Sequence, residues 1–138
     1  MRSSIISCVV AIVSVAEATK FTQPQGGKCY DITLPLNVAW DDITDTGNVS
    51  FFLSNQNGAY PNVDYPYHVN IPITQGTITL PGLDQSTAAD YAKRNNGGGK
   101  GYQIRLVRPD AASSNGFITQ SEAFTIVAPG TGNTCPST

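Results

Sequence analysis

Leu36-Asn37-Val38-Ala39-Trp40 sets large apolar residues alternately with Asn37 and Ala39, and ends on the only tryptophan of the chain. Strand geometry of period two puts Leu36, Val38 and Trp40 on one face and Asn37 and Ala39 on the other. Tryptophan is the largest apolar side chain, so the face that buries it is the face the remaining strands must cover. Asp41-Asp42-Ile43-Thr44-Asp45-Thr46-Gly47 follows at once and has the composition of a turn. In the next run, Asn48-Val49-Ser50-Phe51-Phe52-Leu53, the residues Val49, Phe51 and Leu53 share a face. Two alternating runs around a short polar loop predict a β-hairpin.

Working outward, Phe21-Thr22-Gln23-Pro24 reads as an edge strand, because Pro24 cannot donate to a ladder. Pro35 predicts a break between Ile32-Thr33-Leu34 and the Trp40 strand. Tyr60-Pro61-Asn62-Val63-Asp64-Tyr65-Pro66-Tyr67 is rich in proline and tyrosine and reads as an extended loop. Val69, Ile71 and Ile73 alternate in a following strand, and Ile78 and Leu80 in another. Tyr102, Ile104 and Leu106 form the cleanest alternation, and Ser121 to Val127 reads as the last strand. Residues 86–94 are the one helical candidate, with Ser86 placed to cap it and Asn95-Asn96-Gly97-Gly98-Gly99 to stop it. Short strands separated by turn signals, with no strand–helix alternation, predict an all-β fold. The expected architecture is an immunoglobulin or fibronectin-type antiparallel β-sandwich of about seven strands with one short helical insertion.

The chain has 138 residues and a formal net charge of −2. Arg2, the apolar run Ile5 to Ala16 and the small-x-small site Ala16-Glu17-Ala18 read as a secretory signal peptide over residues 1–18. Residues 19–138, about 120 in all, then suit one sandwich domain with a short flexible C-terminal tail. No second apolar run suggests a membrane span, and the last ten residues carry no hydrophobic tail of the kind a lipid anchor needs. The expected product is soluble and secreted. Its few cations are scattered, which argues against nucleic acid as a partner. Cys8 leaves with the leader. Cys29 and Cys135 remain as an even pair in an oxidising compartment, which predicts a disulfide; a metal pair or a reactive thiol would want local partners that are missing.

Chemistry-bearing residues are few. His68 is the single histidine and has no nucleophile elbow beside it; it reads as a surface residue. Asp41, Asp42 and Asp45 offer oxygen ligands but match no calcium-loop spacing, and read as a solvated turn. Glu122 is the only glutamate after the leader, which leaves little for a two-carboxylate glycosidase. Gly97-Gly98-Gly99-Lys100-Gly101 lacks the spacing of a phosphate loop and leads into a strand. Nothing here calls for a cofactor. Asn48-Val49-Ser50 is an N-glycosylation acceptor, which would make a secreted product a glycoprotein. The best binding candidates are Tyr60, Tyr65 and Tyr67 with Asn62 and Asp64: aromatic faces stack on sugar rings while amides and carboxylates bond hydroxyls. The alternative is that these rings pack a long loop onto the sandwich edge.

Several stretches line up with a family pattern: Phe21-Thr22-Gln23-Pro24, Val38-Ala39-Trp40, Val49-Ser50-Phe51-Phe52-Leu53, Gly76-Thr77-Ile78-Thr79-Leu80-Pro81, Gly101-Tyr102-Gln103-Ile104-Arg105-Leu106 and Ser121-Glu122-Ala123-Phe124-Thr125-Ile126. In that order they resemble the N-terminal domain of fungal cell-wall-synthesis proteins, the killer-toxin-resistance family implicated in β-1,6-glucan assembly. The same domain recurs in Ser/Thr-rich, lipid-anchored fungal surface proteins. The resemblance implies an immunoglobulin-like sandwich, secretion and a place at the fungal wall, and it transfers no catalytic residue. The expected function is therefore that of a secreted, non-enzymatic wall module taking part in wall biogenesis, with wall polysaccharide or wall protein as its partner. The alternatives are a secreted effector that binds a protein, and a small glycoside-active enzyme.

Overall fold

A computed structural model describes residues 19–56, 62–94, 99–132 and 134–135. The expected leader at 1–18, Tyr60 and the glycine-rich residues 95–98 lie outside the described residues. The fold is all-β with a short helix. Its strands are β1 (Lys20–Gln23), β2 (Cys29–Asp31), β3 (Leu36–Asp41), β4 (Asn48–Asn55), β5 (Val63–Pro66), β6 (Ile71–Pro72), β7 (Thr77–Leu80), β8 (Gln103–Val107), β9 (Thr119–Gln120) and β10 (Thr125–Val127). The helix α1 spans Gln85–Ala92 between β7 and β8.

Two antiparallel layers face each other. One has the order β1-β3-β7, the other β5-β4-β8-β9, with β6 also pairing β4. The predicted face of β3 is the inner one: Leu36, Val38 and Trp40 are buried, while Asn37 is exposed. Across from it stand Val49, Phe51 and Leu53 of β4 and Ile104 and Leu106 of β8, all fully buried. The Trp40 and Phe51 rings meet at 5.4 Å, and Phe21 of β1 adds an edge contact to Phe51 at 6.5 Å. Burial of this many large side chains is the dominant stabilising term, at about 1.5–3 kcal/mol for each.

The expected hairpin between β3 and β4 does not form. β3 pairs with β1 and β7, whereas β4 pairs with β5, β6 and β8. The physical reason is the Trp40–Phe51 contact. The two rings face each other across the core, and strands of one hairpin would set them side by side in one layer. The acidic stretch is thus a crossing between sheets. Arg108 fixes it by donating from Nη1 to the Thr46 carbonyl at 2.6 Å and to the Asn48 carbonyl at 3.3 Å.

Other expectations need revision. Residues 60–67 are not all loop, since Val63–Pro66 pairs with β4 at the sheet edge, where a terminal proline is tolerated. The run through Val69, Ile71 and Ile73 yields only the two-residue β6. Ile73–Gln75 turns into a 3₁₀ helix, and the Ile73 carbonyl accepts the indole N–H of Trp40 at 2.8 Å. The last strand is split. At Ser121 the side-chain Oγ accepts the Ile104 N–H at 2.9 Å and the ladder breaks. β10 then leaves that sheet and pairs with β2 in parallel, the one exception to antiparallel order among the described residues. Asp84, not Ser86, caps α1: its carboxylate accepts the Thr87 N–H at 3.0 Å and the Ser86 hydroxyl at 2.9 Å. These bonds hold its carboxyl below the usual carboxylate range. The helix ends at Ala92, two residues short of the predicted limit.

Cys29 and Cys135 form the expected disulfide, with their Cα atoms 5.4 Å apart across 106 positions of sequence. It reinforces the β2–β10 pair.

Candidate functional site

The tyrosine-rich segment divides between the two faces of its sheet. Leu53 is opposite Tyr65, and Ser54 is opposite Asp64. Opposed residues share a face, and successive ones alternate. Tyr65 therefore looks into the sandwich, and Asp64 looks out. Tyr67 is 92% buried, and its hydroxyl has no hydrogen-bond partner among the described residues. Burial pushes its pKa above the ordinary tyrosine range, with the Tyr65 and Tyr91 hydroxyls adding to the effect. Half-buried Tyr65 meets Tyr67 edge-on at 5.3 Å and Tyr91 of α1 at 6.3 Å. Tyr91 in turn leans on Tyr102 at 6.4 Å, and the Tyr102 hydroxyl donates to the Tyr91 carbonyl at 2.6 Å. This seam of rings fastens the helix to the sandwich. Within it Tyr67 is buried and Tyr65 half-buried.

Asp64 is also committed to structure. Its carboxylate accepts the Ser114 N–H at 3.0 Å and, through its other oxygen, the Ser114 hydroxyl. Arg105 donates from Nη1 to Ser114 Oγ at 3.1 Å and from Nε to Gln120 Oε1 at 3.0 Å, with its guanidinium 4.5 Å from the centre of the Phe117 ring. Buried Ser114 is thereby the anchor of the 109–118 loop on the outer face of the sheet. Of the predicted binding set, Asn62 is exposed, and Tyr60 lies outside the described residues.

The remaining candidates are dispersed. His68 is exposed, in a left-handed turn with φ of 57° after β5. Asp42 pairs with Lys20 at 3.5 Å, and Asp45 accepts the Thr19 hydroxyl at 3.4 Å. Among the described residues, no group of three or more His, Cys, Asp or Glu could hold a metal ion. Also among the described residues, no helix is long and apolar enough to cross a membrane. Asn48 is exposed at the start of β4 and donates from Nδ2 to Asn70 Oδ1 at 2.7 Å. Its sequon partner Ser50 is buried, and Ser50 Oγ accepts the Val69 N–H at 3.2 Å.

A groove of about 490 Å³ opens elsewhere, between β1 and β9. These are the free outer strands of the two layers, and they lie on the same side of the sandwich. Half-buried Phe21 supplies its accessible apolar surface beside buried Pro24, while Thr22, Gln25, Gln120 and Glu122 supply polar groups. A second concavity of about 390 Å³ lies beside the disulfide, along Asp31, Val127, Ala128 and Pro129. Sequence reasoning missed the first groove because its residues come from separate, very short strands. The one signal was Pro24, which marks where β1 ends at an edge.

The chain matches no protein-family model, no curated protein and no solved structure. The family resemblance of the core stretches rests on those stretches alone.

Proposed function

We propose that the chain is a secreted, non-enzymatic module of the fungal cell wall that holds wall polysaccharide. The observation carrying this reading is the disulfide between Cys29 and Cys135, which ties residues 106 positions apart and fits a protein matured in an oxidising compartment. The strand motifs that resemble wall-synthesis domains supply the wall context. Binding rather than turnover is favoured by the make-up of the edge groove. Glu122 is its single carboxylate, and the common glycosidase mechanisms use a pair.

The test is co-sedimentation of the full chain, made through a eukaryotic secretory pathway, with insoluble β-glucan and with chitin. Retention on either supports the proposal. Absence of retention on both, together with cross-linking to a protein on intact walls that survives glucanase treatment, replaces it with the protein-partner reading.

A further inference from the structure

From the groove between β1 and β9, we infer a binding site for an uncharged, hydroxyl-rich glycan segment. The inference rests on the wall-polysaccharide reading and deepens it by naming the site. Three features point to that ligand class. First, the groove carries polar groups that the fold does not use. Among the described residues, the Gln25 side-chain amide, the Thr22 hydroxyl and the Glu122 carboxylate have no hydrogen-bond partners, and Gln120 commits only its oxygen, to Arg105. Amide donors and acceptors beside a carboxylate acceptor match the two-way hydrogen bonding of hydroxyl groups. Second, half-buried Phe21 lies alongside, giving apolar surface for the C–H face of a sugar ring, while the Pro24 ring is buried. Third, the charges nearly cancel. Glu122 is the one acid lining the groove, and Lys20, the one base, is drawn to Asp42 at 3.5 Å. That balance selects neither an anion nor a cation.

An extended peptide adding to the sheet edge would also fit between two free strands, but the backbone there is poorly suited to it. The β1 ladder slips between Phe21 and Gln23, so a bulge falls at Thr22; Pro24, which has no N–H, follows, and β9 is only two residues long. Strand addition needs a run of consecutive free backbone groups, and bulges and prolines are what interrupt such runs. Recognition here must come from side chains. One end of the groove is fixed: the Gly27 N–H donates to the Ala123 carbonyl at 3.0 Å, and the Glu122 side chain lies over Gly26, where a Cβ would collide with it. The polar groups on the two strands are thus held at a set spacing before any ligand arrives.

The test uses a soluble neutral β-gluco-oligosaccharide and ¹⁵N amide shifts, alongside co-sedimentation with insoluble β-glucan. The expected result is shift changes confined to residues 20–27 and 119–123, with little dependence on salt. The double variant Gln25→Ala/Glu122→Ala should lose about tenfold or more in affinity, since each lost pairing removes at least one hydrogen bond to the ligand. Asn37→Ala, at an exposed position of β3 opposite Thr79 of β7 and outside the groove, is the control and should bind as the parent does. Both substitutions in the double variant are of exposed side chains, and an unchanged melting curve verifies its fold. If the parent is retained on glucan but the double variant binds equally, or shifts cluster around Tyr65 and Tyr91, the groove is not the site and the wall reading stands. If the parent shows no shifts and no retention on either β-glucan or chitin, the wall-polysaccharide reading fails and takes the groove with it. Shifts in the groove with an extended peptide and none with the oligosaccharide would overturn the glycan assignment alone.

Discussion

The indole N–H of Trp40 donates to the carbonyl of Ile73 at 2.8 Å, inside the core. The bond ties the central strand of one layer to the 3₁₀ turn that follows β6. It satisfies both groups where water cannot. Trp40→Phe keeps an aromatic ring but orphans a buried carbonyl and leaves a void. The expected loss is about 2–4 kcal/mol, read as a lower urea midpoint with an unchanged slope. Because Trp40 is the only tryptophan, the fluorescence of the parent reports this region directly and should shift to the red on unfolding.

Reduction of Cys29–Cys135 frees a loop of over 100 positions. Chain entropy puts the stabilisation from such a closure at about 4–5 kcal/mol as an upper figure. Urea unfolding with and without reductant measures it. The variant Cys29→Ser/Cys135→Ser should match the reduced parent and be insensitive to reductant.

Tyr67 carries a buried hydroxyl with no partner among the described residues. Tyr67→Phe removes an unsatisfied polar group without disturbing the ring contact to Tyr65, and should stabilise the fold by about 1 kcal/mol. The same residue sets an alkaline limit. Burial raises the pKa of Tyr67 and of Tyr102 above the ordinary tyrosine range. A phenol whose folded pKa exceeds its unfolded value of about 10 gives stability that is complete below that pH and is lost as pH rises through the folded value. The midpoint of unfolding should therefore fall from about pH 10 upward, and fall less steeply in Tyr67→Phe.

Asp64→Asn replaces a carboxylate that accepts two bonds from Ser114. The Ser114 amide should lose hydrogen-exchange protection first, while β3 keeps its own. A stability loss of about 1.5–3 kcal/mol is expected, the range for a charge-assisted pairing. Equal loss of protection in β3 would show that the 109–118 loop unfolds only with the whole sandwich.

The Asn48 sequon makes a prediction about order of events. Ser50 is buried once β4 pairs with β8 and β6, so an oligosaccharide must be attached before the sandwich closes. The chain passed through a secretory pathway should carry a glycan that Asn48→Gln removes, whereas folded chain offered to the transferase in vitro should accept none. Mass spectrometry before and after glycan removal distinguishes the two.

Gly82 is needed for a close approach. A Cβ at this position would strike the backbone of Thr33, at the point where the Leu83 N–H reaches the Ile32 carbonyl at 2.9 Å. Gly82→Ala should cost more than the approximately 1 kcal/mol range of ordinary point substitutions, seen as a lower melting temperature.

The period-two face of Leu36, Val38 and Trp40, the matching face of Tyr102, Ile104 and Leu106, and the pairing of two cysteines were all legible in the sequence. They follow from local rules. Alternation assigns a side chain to a face whatever the partner strand, and an even cysteine pair in an oxidising compartment has one way to close. Tertiary structure alone decided which strands pair. It sent β3 and β4 to opposite layers because Trp40 and Phe51 fill the core by facing each other. It also turned Tyr65 inward and Asp64 outward, so two residues of the candidate set lie on opposite faces of their sheet. The groove between β1 and β9 is the plainest case. Thr22, Gln25, Gln120 and Glu122 meet only because two sheet edges end on the same side of the sandwich. No local pattern encodes that meeting, since it depends on packing between residues about a hundred positions apart.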